Sequence, residues 1–266
     1  MQNRQPSNQT RQPITVKTNI RLTLAFEGTA YHGWQIQSNV PTIQGVVSEA
    51  ITRVVGEPIN LVGCGRTDAG THARRYVANF RTSSKIPPSQ LVRALNSLLP
   101  QDIRILSARR VHLEFHARRH AYAKTYRYQI YLGPVLLPHL AREYYHFPRR
   151  LDLSRMVQGA RLFEGEHDFA AFAKACSLPA NSIRRIFRCE LKKKGYRLHF
   201  TVEGSGFLHH MVRNMAGTLL EVGEGTMSLQ EAQDLFLRRD RKLAGFTAPA
   251  HGLVLLKVRY LRPIKF

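Results

Sequence analysis

The chain has 266 residues, enough for one large domain or two of ordinary size, and its 43% hydrophobic content is that of a globular protein with a real core. No apolar run approaches the roughly 18 residues that span a bilayer, and the opening MQNRQPSNQTRQP has no signal-peptide character, so the expectation is a cytoplasmic protein without membrane contact. Forty Lys and Arg face eighteen Asp and Glu, a formal net charge of +22, and such an excess calls for a polyanionic partner.

The first eighteen residues are polar, Gln/Asn-rich and aperiodic, and read as a disordered basic tail. Order begins at Ile20, where Ile20, Leu22, Leu24 and Phe26 alternate with Arg21, Thr23 and Ala25 as in a half-buried strand. Ile43, Val46, Val47, Ala50, Ile51 and Val54 recur at helical spacing, with Thr42 as N-cap and Gly56 as stop. A short strand is predicted at Ile59 to Val62, ending in the loop GCGRTDAGTHA, Gly63 to Ala73. Pro87-Pro88 opens and Pro100 closes a helix around Gln90 to Leu99, and Ile103 and Ile105 mark a strand.

In the second half, Tyr122 to Leu132 alternates strictly, with Tyr126 on its even face. Met156, Val157, Ala160 and Phe163 mark a helix capped by Asp152. Phe187, Cys189 and Leu191 alternate, as do Tyr196, Leu198, Phe200 and Val202 after the Lys193-Lys194-Gly195 turn, which makes a hairpin. Leu208, Met211, Val212, Met215 and Leu219 form a helix stripe that stops near Gly223. Ser228 and Glu231 make a capping box for a helix through Phe236, and Leu253 to Tyr260 is a last strand.

Hairpins mixed with helices, without a regular βαβ rhythm, predict an α+β fold. Its form is two similar halves with a mainly antiparallel central sheet flanked by helices, and an active-site cleft between them. The chain then divides into the tail 1–18, an N-terminal half 19–115 carrying the glycine-rich loop, and a C-terminal half 116–266. No sequence repeat links the halves.

The loop concentrates the chemistry. Its glycines let the backbone turn sharply around Arg66 and Asp68, and a carboxylate among so many cations stays ionised and ready as nucleophile or base. The same Asp equally suits an Asx-turn that ties its own backbone. The loop lacks the GKS or GKT ending of a P-loop. Basic pairs such as Arg74-Arg75, Arg118-Arg119 and Arg184-Arg185 are spread along the chain, which suits a broad phosphate-tracking surface better than a detachable tail. Glu164, Glu166, His167 and Asp168 suggest a metal-dependent nuclease, but neighbouring positions point in divergent directions; a packed corner over Phe169 and Phe172 fits better. His209-His210, expected inside a helix, read as RNA-facing or core-satisfied. Cys64, Cys176 and Cys189 are far apart and suit a reducing compartment.

The segment GRTDAGTHA resembles the active-site motif of the tRNA pseudouridine synthase A family. FEGTAYHGWQIQ, FHARRHAYAKTYRYQIY, FEGEHDFAAFA, GSGFLHHMVRNMAG and APAHGLVLLKV resemble further family blocks, in the family's order, over most of residues 20 to 260. The resemblance implies that Asp68 is the catalytic carboxylate and that Arg66 extrudes the target nucleotide. It further implies that Tyr126 stacks on the target base, Arg213 pairs with the carboxylate, Leu253 lies under the ring and Arg118 contacts tRNA. It also implies a homodimer with no metal or other cofactor, one tRNA lying across both subunits, and uridines 38 to 40 of the anticodon stem-loop as substrates. The implied reaction breaks a glycosidic bond, turns the uracil and joins C5 to the sugar, so no redox partner is needed. A paired uridine is unreachable in A-form RNA and must be flipped out. Thr71 departs from the family's usual Val, and its hydroxyl needs a partner if buried.

Overall fold

The computed structural model describes residues 17–261. Most of the expected tail, residues 1–16, lies outside the described residues, and the first strand already opens at Thr18.

The N-terminal half runs β1 (Thr18–Phe26), α1 (Ile43–Val55), β2 (Val62–Gly63), β3 (His72–Thr82), α2 (Pro88–Leu98) and β4 (Ile103–Val111). The rest runs β5 (Ala121–Tyr131), β6 (Tyr145–His146), α3 (Leu153–Leu162), β7 (Gly165–Asp168), β8 (Ile183–Lys194), β9 (Arg197–Gly204), α4 (Met211–Glu224), α5 (Leu229–Arg238) and β10 (Leu253–Tyr260). Local chemistry sets the helix ends as expected. Thr42 and Asp152 accept from Gly45 N–H and Arg155 N–H, and Ser228 with Glu231 closes a full capping box.

One ten-stranded sheet carries both halves, in the order β4-β1-β3-β10-β5-β9-β8-β7, with β2 beside β3 and β6 beside β5. Its pairs are antiparallel except β3–β10 and β5–β6. The fold is therefore α+β with a mainly antiparallel sheet. The parallel pair β3–β10 joins the halves, with Val254 opposite His72 and Leu255 opposite Ala73. Parallel strands start at the same end, so the loop before β3 and the first residues of β10 meet there. On the other side of β10, Leu253 faces Tyr128 and Leu255 faces Tyr126. Buried residues of both halves, from Leu22 and Ile43 to Phe163 and Met215, form one contiguous cluster.

Two expected boundaries shift, and one strand, β3, was not foreseen. The strand at Ile59 to Val62 shrinks to Val62–Gly63. The central strand β3 carries no alternation because both its faces are covered: Tyr76, Val77, Ala78 and Phe80 are all buried in succession or nearly so. The helix α4 runs past Gly223 to a left-handed Gly225, since Gly223 is needed inside it, where a Cβ would strike Met156.

Candidate active site

The loop between β2 and β3 is held from behind by the segment after β1. Trp34 N–H donates to the Thr67 carbonyl at 3.3 Å, and Gly70 N–H to the Tyr31 carbonyl at 3.2 Å. Backbone approaches backbone so closely that side chains are excluded. A Cβ at Gly28 would lie 2.1 Å from the Thr71 oxygen, and one at Gly33, whose φ is +82°, 2.3 Å from the Thr67 oxygen. His72 then ties the loop's far end to the other half. Its Nδ1 accepts from Gly28 N–H at 2.9 Å, which leaves Nε2–H to donate to the carbonyls of Arg142 and His251.

The loop presents Asp68 to the start of α4. Arg213 Nη1 donates to Asp68 Oδ2 at 2.8 Å, and its Nε donates to the Ala248 carbonyl at 2.7 Å, so the guanidinium is fixed from both sides. The two side chains are only 14% and 17% exposed, which shields the pair from solvent screening. His209 Nε2 stands 3.4 Å from Asp68 Oδ1 and His210 Nε2 3.6 Å from Oδ2. These histidines are not inside the helix: His210 is its N-cap, at φ +64°, and His209 precedes it. Burial lowers the His210 imidazole to about 4, with Asp68 pulling it up and Arg213 and His209 pushing it down. It is therefore neutral near pH 7 and can donate or accept without competing with Arg213 for the carboxylate's charge. His209 Nδ1 is 2.9 Å from Ser177 Oγ, which orients its ring.

Tyr126 lies on β5 beside Leu255 of β10 and Val202 of β9. Directly paired residues share a sheet face, as do residues two apart, so Tyr126, Tyr128, Leu253 and Leu255 line one surface. Phe207 meets the Tyr126 ring edge-on, with centroids 5.1 Å apart at 84°. Burial, then Cys64 and Asp68, push the Tyr126 phenol above its usual range, so it keeps its proton and stands as a donor. Arg66 is exposed two residues from Asp68, and Arg118 is exposed on the turn before β5.

The sequence-predicted residues thus fall into two groups. Asp68, Arg213, Tyr126 and Leu253 converge at the junction of β3, β10 and α4, while Arg66 and Arg118 lie on the surface. The carboxylate's histidine partners and the Phe207 buttress escaped sequence reasoning. The run FLHHMVR held the only signal, since it sets two imidazoles and a guanidinium within one turn of a helix start.

The acidic segment around β7 does not converge. Asp168 accepts from Ala170 N–H and Ser182 Oγ and pairs with Arg239 at 2.9 Å, Glu164 accepts from Cys189 N–H, and the His167 ring lies against Phe236. Phe169 and Phe172 are fully buried beneath, as a packed corner requires. Among the described residues, Asp68, His209 and His210 do bring ligand atoms within 4.8 Å of one another, but Arg213 already occupies one Asp68 oxygen and repels a cation there. The arrangement offers an anionic oxygen, a protonated phenol and an apolar floor, suited to holding a planar base while a bond to it is broken and remade.

A family model described as tRNA pseudouridine synthase matches residues 23–118 and 160–261. Among curated relatives, the tRNA pseudouridine synthase A of Methylacidiphilum infernorum is 43% identical over 241 residues, covering 90% of this chain and 94% of its own. That of Caldicellulosiruptor saccharolyticus is 44% identical, covering 91% and 99%. A solved Cbf5-Nop10-Gar1 complex has a chain 12% identical, covering 88% of this chain and 57% of its own, at a TM-score of 0.36, too slight a likeness to bear on the site. The family match and these relatives place the chain among enzymes that isomerise uridine in tRNA. It belongs to the tRNA pseudouridine synthase A family.

Proposed function

We propose that this enzyme converts uridine to pseudouridine at positions 38 to 40 of the tRNA anticodon stem-loop, with Asp68 as the essential carboxylate. The observation that carries this reading is the half-buried Asp68–Arg213 pair at 2.8 Å, set where the loop before β3 meets the face bearing Tyr126. Arg213 fixes the carboxylate in one orientation. Tyr126 supplies the stacking platform for the flipped uracil, worth about 1–3 kcal/mol for a base on an aromatic ring, and Leu253 the apolar floor. Arg66, exposed and beside Asp68, takes the space the base vacates, and Arg118 holds phosphate. The halves 19–115 and 116–266 act as the two walls of the cleft. The enzyme works in the cytoplasm as a homodimer with one tRNA lying across both subunits.

The reaction is redox-neutral: the N1–C1′ bond breaks, the uracil turns, C5 bonds to C1′, the C5 proton leaves and N1 takes one up, with Asp68 acting as nucleophile or base. The test is position mapping. Unmodified anticodon stem-loop RNAs carrying a single uridine at 38, 39, 40 or a loop position outside this window are incubated with the enzyme and scored for pseudouridine. Modification is expected within the window alone; equal modification outside it contradicts the assigned specificity.

A further inference from the structure

Lys124 lies on β5 two residues before Tyr126, on the same sheet face and about 6.6 Å along the strand. Its side chain reaches back over the glycine-rich loop, where a Cβ on Gly65 would stand only 3.0 Å from its Nζ. Gly65 is three residues from Asp68, so the ammonium sits between the loop and the stacking face. Across the sheet, Lys124 pairs with Gly204 of β9, and Gly204 pairs with Ile186 of β8. Arg184, two residues before Ile186, shares that face, and the missing side chain of Gly204 leaves the space above it to Ile186 and Phe207.

Such a lysine would ordinarily hold a carboxylate. Lys124 takes part in none of the ion pairs among the described residues. The charges that act on it are instead of its own sign. Burial lowers the ammonium first; the Cys64 thiol opposes this, and Arg118 and Arg184 lower it further. A half-buried cation facing two guanidiniums with no carboxylate costs stability, and an anion entering from solvent removes that cost. Arg184 spends Nη1 on the carbonyls of Asn181 and Ile183, which leaves its Nη2 and Nε for a ligand. Arg118 is exposed on the turn before β5, and its charge acts on Lys124.

We infer that Lys124, together with Arg118 and Arg184, forms a binding site for a backbone phosphate of the RNA next to the target uridine. The inference rests on the functional reading above. A nucleotide whose base stacks on Tyr126 carries its flanking phosphates close by, and a compact ammonium two residues along the strand is suited to a phosphate as a point charge. The site would fix the sugar–phosphate while the uracil is detached and turned, a role that general attraction to a basic surface cannot fill.

The experiment uses the full-length enzyme and anticodon stem-loop RNA, native or with one phosphate flanking the target uridine replaced by a neutral methylphosphonate. Single-turnover pseudouridine formation is followed with the parent, Lys124→Met and Lys124→Arg. One of the two neutral linkages should slow the parent by about tenfold or more in kcat/KM, the scale of a lost charge-assisted hydrogen bond. Lys124→Met should lose about as much on native RNA and be indifferent to that linkage, while Lys124→Arg stays near the parent. Losses that multiply at both linkages overturn the proposal, as does a Met variant equal to the parent on native RNA. If Lys124→Met fails to fold, the parent alone decides, since indifference to both neutral linkages refutes the site. Binding of the same RNAs to Asp68→Asn reads the phosphate contact apart from the chemistry, so failure of the Asp68 assignment and failure of the phosphate site are seen separately.

Discussion

Thr71 stands in the loop where the family resemblance leads one to expect valine, and its surroundings set the sign of its replacement. It is 1% exposed, and its hydroxyl has no hydrogen-bond partner among the described residues. Its backbone, by contrast, is engaged: Thr71 N–H donates to the Asp68 carbonyl at 3.1 Å. A hydroxyl buried without a partner costs about 1–3 kcal/mol by the measure of protein mutants. Valine keeps the β-branched shape, replaces the oxygen by a methyl and leaves the backbone bond intact. Thr71→Val should therefore stabilise the fold by about 1–2 kcal/mol. At roughly 2–4 °C per kcal/mol for a domain of this size, Tm rises by about 2 to 8 °C. Urea unfolding without RNA should show a higher midpoint at unchanged m-value, because bound ligand would mask the difference. Pseudouridine formation should be unchanged. A variant less stable than the parent would show that the hydroxyl has a partner in solution and that the loop is packed differently.

Two further outcomes follow from the site and the charge. Tyr126→Phe keeps the ring against Phe207 and removes only the phenolic proton, so RNA binding should hold while the single-turnover rate drops by on the order of 10² to 10⁴, the usual effect of losing a general acid or base. A Phe variant as fast as the parent would reduce Tyr126 to a stacking platform. With a net charge of +22, log affinity for tRNA should fall steeply with log salt, and Arg118→Ala should flatten that slope by about one unit or less; a parent slope near zero refutes a phosphate-tracking surface.

Elements with one solvent face were legible from the chain. β1 and the β8–β9 hairpin alternate, and α1 and α5 carry caps whose side chains bond as the residue types require. The central strand β3 was not, because sheet neighbours on both edges and cover on both faces erase the period of two. The start of α4 was misplaced because His210 adopts a left-handed conformation usually left to glycine or asparagine, and no residue pattern announces that. In the site, glycine density marked the loop around Asp68, but its partner Arg213 lies 145 residues on, and only resemblance to a family linked them. Lys124 escaped notice altogether: it shares the even face of Tyr126, but a lone lysine in a strand announces no ligand, and its position over Gly65 depends on a crossing of the chain that no local pattern encodes.

The proposed division of labour, with Asp68 carrying the chemistry and its neighbours holding the RNA, is separated by Asp68→Asn. The amide keeps the side chain's shape and can still accept from Arg213, but the anionic oxygen is gone. Single-turnover pseudouridine formation with excess enzyme, measured beside tRNA affinity at the same salt, gives both quantities from one preparation. The variant should bind tRNA nearly as the parent does and form no detectable pseudouridine. Turnover within about tenfold of the parent would contradict the assignment, since an interaction made only in the transition state cannot be removed so cheaply.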